Sequence, residues 1–246
     1  MTDQKNYESL KAHLEDLRNK SETWHKNLYS SFLNEEEQAA MLHEFPESER
    51  IRYEGGYPGA RKKRVIFLDH EENDFSDIVC ISSRIDQRFR KITHRDVLGA
   101  LMHLQIDRHS FGDFWVCEDA VHLYTSSSMA DFLMQNLTRI NQLNVRFEIN
   151  EERPVQQFRT KRYTLIAASL RMDAIVSAIT HSSRAQAKEM IRAGLVQLNH
   201  IVLVSPDKLC DNNDTISIRG KGRFRFIDIV RKTNSDRIAI EIEESI

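Results

Sequence analysis

The chain has 246 residues, of which 40% are hydrophobic, and its 35 Lys and Arg nearly balance 37 Asp and Glu, for a net charge of −2. That content is enough to bury packed cores in one large domain or two to three small ones. No run of about eighteen apolar residues occurs, so no membrane-spanning helix is expected. Met1-Thr2-Asp3-Gln4-Lys5 has no apolar signal region, and Cys80, Cys117 and Cys210 are too few and too scattered for a disulfide framework. Free thiols in a reducing cytoplasmic setting are the expectation.

Leu10, Leu14 and Leu17 recur at helical spacing, and Phe32-Leu33-Asn34-Glu35-Glu36-Glu37 predicts a second helix capped by Asn34. The segment Tyr53 to Arg64 holds three of the eight glycines and reads as a loop ending in four cations, Arg61, Lys62, Lys63 and Arg64, which are candidates for accessory phosphate contact. A buried strand, Val65-Ile66-Phe67-Leu68, follows. Residues 77–82 then read as a strand, 94–104 as a helix capped by Thr93, and 114–118 and 120–125 as paired strands. A helix over 129–140 and a strand over 145–149 complete the series. This order is the βαββαβ, ferredoxin-like layout that RNA-recognition folds also use, here without an aromatic signature for base stacking. Phe114 and Trp115 could stack on bases, but core packing is the expected role of at least one of them. Asn150 to Gln157 reads as a connector.

The charge is unevenly spread. Residues 160–232 carry thirteen cations and six acids, about +7, whereas residues 1–159 carry 21 cations and 27 acids, or −6. Such asymmetry points to a nucleic acid or another anionic surface. Within the basic part, Arg171-Met172-Asp173 opens an apolar helix through Ile175, Val176 and Ile179, with Asp173 in the first turn, where a carboxylate suits the positive helix end. Ser182 or Ser183 can cap the next helix, which Gly194 ends. On that helix Arg184, Lys188 and Arg192 fall within an arc of roughly 80° over roughly 12 Å, while Ala187, Met190 and Ile191 give it an apolar face. The row can act as a rail for phosphates; a solvated surface is the plain alternative. Val196-Gln197-Leu198 turns at Asn199-His200 and returns through Ile201 to Val204. Lys221, Arg223 and Arg225 alternate along a later strand with Phe224 and Phe226 opposite, giving a second basic row beside the first. The two phenylalanines are expected in the core, with base stacking as the alternative.

Arg171-Met172-Asp173, then Ser183-Arg184, Ala187, Ile191, Gly194, Val196 and Asn199, then Asp214-Thr215-Ile216 and Gly220-Lys221-Gly222-Arg223-Phe224, resemble the S4 RNA-binding domain over about sixty residues. Two turn positions depart from its pattern: His200 stands where the family has Gly, and Asn213-Asp214 where it has Gly-Asp. Asn199 or Asn213 can supply the positive φ instead. Three further segments, 54–64, Thr93-His94-Arg95-Asp96-Val97-Leu98-Gly99-Ala100-Leu101 and Phe111-Gly112-Asp113, precede that domain. Their order resembles the YlmH family of bacterial S4-domain proteins along nearly the whole chain. That resemblance implies a non-enzymatic RNA-binding factor of the large ribosomal subunit, linked to rescue of stalled nascent chains and to cell division. Its implied partners are rRNA, with tRNA and division proteins as further candidates.

Enzymatic readings fit the residues less well. Arg84-Ile85-Asp86 resembles a pseudouridine-synthase segment, but Gln87-Arg88-Phe89-Arg90 supplies neither the Thr nor the Gly that should follow. A methyltransferase needs a glycine-rich loop after a strand, and Gly55-Gly56-Tyr57-Pro58-Gly59 does not fit. Asp86 and Asp96 remain the acids to test under an RNA-modifying reading. His94-Arg95-Asp96 lacks the rest of a kinase signature, and the ten histidines show no metal-ligand spacing.

The expectation is thus an α+β chain. It comprises an N-terminal mainly helical domain with a short strand (1–72), a ferredoxin-like domain (73–150), a connector (151–168) and an S4 RNA-binding domain (169–246). It is monomeric, cytoplasmic and without cofactor, metal or catalytic residue. The expected RNA-binding set is Arg171, Ser183, Arg184, Gln186, Lys188, Arg192, Asn199, His200, Lys221, Arg223 and Arg225, and a pure cell-division scaffold is a further alternative.

Overall fold

The computed structural model describes residues 2–69, 76–88, 91–233 and 236–245, and the side chains among them from residue 6 onward. It is a mixed α and β structure whose chain contacts divide into two compact units, Met1–Gln156 and Gln157–Ile246. No helix among the described residues is long and apolar enough to cross a membrane. The expected boundary at residues 72–73 lies outside the described residues.

The first unit opens with α1 (Thr2–Trp24), β1 (Leu28–Leu33), α2 (Glu35–Leu42), β2 (Ile51–Glu54) and β3 (Lys63–Phe67). The strands form an antiparallel sheet in the order β1-β3-β2. Leu14 of α1 and Met41 of α2 pack on it with Leu33, Phe45, Tyr53, Val65 and Phe67. Asn34 caps α2 as expected, in a reciprocal capping box with Glu37. Three strands stand where one short strand was expected. Leu28–Leu33 lacks a period-two pattern because it is buried on both sides at Phe32 and Leu33, and the basic end of the supposed loop, Lys63-Arg64, begins β3.

Next come β4 (Ile78–Arg84), α3 (His94–His103), β5 (Phe111–Val116), β6 (Ala120–Ser126), α4 (Ser127–Asn136), β7 (Arg139–Ile140), β8 (Leu143–Asn144) and β9 (Glu148–Ile149). Strands β5-β6-β4-β9 form an antiparallel sheet in that order. Val97 and Leu101 of α3 and Ala130 and Leu133 of α4 pack with Ile81, Phe114 and Leu123. The second helix is shorter than the sequence suggested. It ends at Asn136, and Asn141, at φ +56°, turns a small β7–β8 hairpin where helix was expected. The strand expected over 145–149 reduces to β9. The glycine-rich segment joins the two sheets: Tyr57 and Ala60 pack with Phe32, Ile78, Trp115 and Tyr124. Gly56 sits at φ +92°, and a Cβ there would lie 2.5 Å from the Tyr124 ring, so only glycine fits the conformation and the space together.

The second unit contains β10 (Thr160–Ala167), α5 (Met172–Thr180), α6 (Arg184–Arg192), β11 (Val196–Leu198), β12 (Ile201–Val202), β13 (Thr215–Ile218), β14 (Gly222–Lys232) and β15 (Ile238–Ser245). Its six-stranded sheet runs β10-β15-β14-β13-β11-β12. Strand β10 lies inside the stretch expected to be connector, yet it pairs with β15 over eight residues. Tyr163 and Leu165 pack on the core while Arg162 and Thr164 point away. Helices α5 and α6 cover one face of this sheet, burying Ile175, Val176, Ala187 and Ile191 against Phe224, Phe226, Ile240 and Ile242.

Candidate nucleic-acid interface

Helix α5 begins without a side-chain cap at Arg171. Its first free N–H groups, those of Met172 and Asp173, instead donate to the carbonyls of Lys208 and Pro206. That anchorage places the Asp173 carboxylate at the start of α5, fully buried. Its charge is answered from three directions. Arg184 Nη2 reaches Oδ1 and Oδ2 at 2.8 and 2.7 Å, Arg171 Nε reaches Oδ1 at 3.3 Å, and Lys188 Nζ lies 3.7 Å from Oδ2. Burial alone pushes this carboxyl up, but the bonds from Arg171 and Arg184 outweigh it and hold the pKa below its usual value. Three cations around one acid leave an excess of two positive charges. Arg184 and Lys188 remain 47% and 41% exposed while held, so their donors stay accessible in fixed positions.

Helix α6 is set by a full capping box. Ser183 Oγ accepts from the Gln186 N–H, and Gln186 Oε1 accepts from the Ser183 N–H. Both side chains of the expected RNA-binding set therefore fix the helix start beside the cation cluster. Gly194, at φ +69°, ends the helix as the sequence suggested. Arg192 extends the row but pairs with Glu189 at 3.0 Å, in an exposed contact of small energy.

The second basic row needs two corrections. Lys221 lies in the turn before β14, because the strand starts at Gly222. Arg223 and Arg225 do alternate with Phe224 and Phe226, but the phenylalanines are buried in the α5–α6 core and so cannot stack on bases. The arginines therefore lie on the opposite face of the sheet from α6, and not beside the first row. There Glu243, almost fully buried, accepts from Arg162 Nε at 2.8 Å and also from Arg225. The register Arg162↔Glu243↔Arg225 runs straight across β10, β15 and β14. Arg162 first, then Arg225, hold the Glu243 carboxyl below its ordinary pKa against the opposing effect of burial.

Asn199 and His200 both take positive φ, 50° and 68°, as a two-residue hairpin of the primed type requires. The Asn199 amide donates to Asp214 at 2.7 Å and accepts from the Thr215 N–H at 2.9 Å. Asn213 also takes positive φ, 69°. Both departures from the S4 pattern are thus absorbed by residues that tolerate the left-handed region.

Two of the four cations at 61–64, Lys62 and Arg64, are drawn inward. Arg64 bonds Asp77 and the Ser30 carbonyl. Lys62 Nζ donates to the carbonyls of Arg108 and Phe111 and lies 4.5 Å above the Phe111 ring. Asp113 receives the backbone N–H groups of Arg61 and Lys62 and the Tyr57 hydroxyl, the last at 2.7 Å. Segments 54–64 and 111–113, remote in sequence, form one structure.

The acids considered for catalysis are engaged elsewhere. Asp86 is exposed and chelated by Arg88, which holds its pKa down to about 2. Asp96 accepts from the Thr93 N–H and hydroxyl in the α3 capping box. Among the described residues no group of three His, Cys, Asp or Glu is placed to hold a metal ion.

Residues 70–154 match the family model described as "Putative RNA-binding domain in YlmH". A curated relative, ribosome-associated protein quality control protein P2 of Bacillus subtilis (strain 168), is 31% identical over 201 residues, covering 78% of this chain and 77% of its own length. The chain belongs to the YlmH family. A solved structure, the cell division protein YlmH from Streptococcus pneumoniae, aligns at 18% identity with a TM-score of 0.47, covering 61% of this chain and 92% of that one. The family match at 70–154 falls on a stretch where the sequence reading assigned no RNA-binding residue. Phe114 and Trp115, the aromatic candidates for base stacking in that stretch, are buried.

Proposed function

We propose that this YlmH-family protein is a non-enzymatic, cytoplasmic RNA-binding factor that docks on structured rRNA of the large ribosomal subunit through an S4 domain at 169–246. The observation that carries the reading is the cluster of Arg171, Arg184 and Lys188 around buried Asp173, set on α5 and α6 in the most basic part of the chain. Preset cations lose little side-chain freedom when they meet phosphates, and the guanidinium fork suits bidentate phosphate contact. Arg192 extends the contact along α6, and Arg223, on the opposite face of the sheet, offers a separate one, with Lys221 and His200 as further candidates. The name of the B. subtilis relative supports a ribosomal setting in quality control, where tRNA on a stalled subunit is a further contact. Division proteins are further candidate partners. The middle segment, with strand order β5-β6-β4-β9, supports a ferredoxin-like domain that adds a second RNA-contacting element.

The test is co-sedimentation with purified large subunits. Because Arg184 hydrogen-bonds the buried Asp173 directly, whereas Lys188 lies 3.7 Å from it and Arg192 pairs only with exposed Glu189, Lys188→Gln with Arg192→Gln is the cleaner variant. It should lose most subunit binding with its thermal melt nearly unchanged. Wild-type co-sedimentation would overturn the proposal. An RNA-modifying activity instead predicts that one specific rRNA or tRNA modification disappears from a deletion strain, read by mass spectrometry.

A further inference from the structure

The three sequence segments 54–64, 93–101 and 111–113 converge in the first unit on one cavity of about 540 Å³. Arg61 and Lys62 reach it from the first segment, His94 and Leu98 from the second, and Phe111 to Asp113 from the third, with Phe114 behind them. Its chemistry is of two kinds. His94 is exposed, and its imidazole lies on the Phe114 ring with centroids 4.1 Å apart and planes 16° from parallel. Phe114 is itself buried, so the imidazole is a planar platform backed on one side. Around it stand cationic groups. Arg108 is exposed, and its guanidinium has no ion pair or hydrogen bond among the described residues. Lys62 spends two of its three ammonium hydrogens on carbonyls. Burial pulls Lys62 down to about 8, which Asp113 and Glu37 only partly oppose. An arriving anion would relieve that unfavourable charge. Three acids line the cavity, of which Asp113 is engaged by two backbone N–H groups and the Tyr57 hydroxyl and Glu37 by the α2 cap and by His109 at 2.9 Å, while Glu35 stands at its edge on the first turn of α2.

A flat stacking surface beside cations, in a space large enough for one base and its ribose phosphate, has the chemistry of single-stranded RNA recognition. We propose that this cavity takes one unpaired nucleotide of RNA, its base laid on His94 and its phosphate held by Arg108 and Lys62. This rests on the RNA-binding reading above and adds to it a site separate from the α5–α6 cations.

The experiment uses the full chain and a ten-nucleotide single-stranded RNA of mixed sequence carrying 4-thiouridine, photo-crosslinked and mapped by mass spectrometry, with affinity followed by fluorescence anisotropy. Crosslinks should fall in peptides containing His94 or residues 108–114. His94→Ala should weaken oligonucleotide binding about tenfold, the loss of one stacked base, and Arg108→Gln should weaken it while Arg108→Lys restores part. Arg108→Gln is the safeguard should His94→Ala fold poorly, since its guanidinium has no ion pair or hydrogen bond to lose among the described residues. Crosslinks only outside these peptides, or unchanged affinity in Arg108→Gln, would overturn the proposal. Lys188→Gln with Arg192→Gln separates the two readings. It should keep the oligonucleotide crosslink while losing large subunits, so the failure of either claim is visible without the other.

Discussion

Asp173 is the residue on which the cation cluster turns. Truncating it to Ala would remove the bonds that hold Arg171, Arg184 and Lys188, whose charges are half-exposed and can turn to water, and the expected loss is about 1–3 kcal/mol in a chemical melt. Its pKa is lowered on folding, so its stabilisation is present above the ordinary carboxylate value and is lost as pH falls through the lower folded value. Acid titration of the Asp173→Asn variant should lack that component. Lys62 gives a rise of the same sign at higher pH, from a charge that burial makes unfavourable. Its folded pKa of about 8 lies below the ordinary 10.5, so the unfolded chain binds more protons between those values and stability rises with pH across that window. Lys62→Met should flatten the rise, read as the melting midpoint against pH. The sequence showed Asp173 as a helix-start acid and Arg184 as part of a rail. Their pairing was not legible, because it depends on how α5 packs on α6 and on the carbonyls of Pro206 and Lys208 that seat the helix.

The starts of helices α2, α3 and α6 were legible to within a residue, because capping is a local code: Asn34 with Glu37, Thr93 with Asp96 and Ser183 with Gln186 each close within one turn. Short strands were not. The β7–β8 hairpin rests on Asn141 at positive φ, and β10 became visible only through its partner β15, whose pairing spans most of the second unit. The glycine-rich segment was read as a loop, correctly between β2 and β3, but its purpose lies in contacts with Tyr124 and Asp113 that sequence distance hides. Gly56→Ala should therefore destabilise the first unit by about 2–4 kcal/mol, through both its positive φ and the crowding at Tyr124, as measured by urea unfolding. An unaltered midpoint would mean that the segment does not pack on the ring.

At the scale of the molecule, charge is divided between the units. Residues 1–159 are acidic in balance and residues 160–232 carry an excess of about +7, and in the second unit cations are fixed by the buried acids Asp173 and Glu243. The polarity was readable from the sequence; the division of the basic rows between two faces was not, since alternation along β14 gives sides but not which side the helices cover. The first unit's cavity lay hidden because its walls come from segments far apart in the sequence.

The central claim, that the α5–α6 cations are an electrostatic anchor for RNA, is tested most directly by the salt dependence of large-subunit binding. Three to five phosphate contacts predict a log–log slope of roughly −2 to −4 for the wild-type chain, and Lys188→Gln with Arg192→Gln should make it shallower by about two. A flat wild-type slope, or a slope unchanged by the two substitutions, would contradict it.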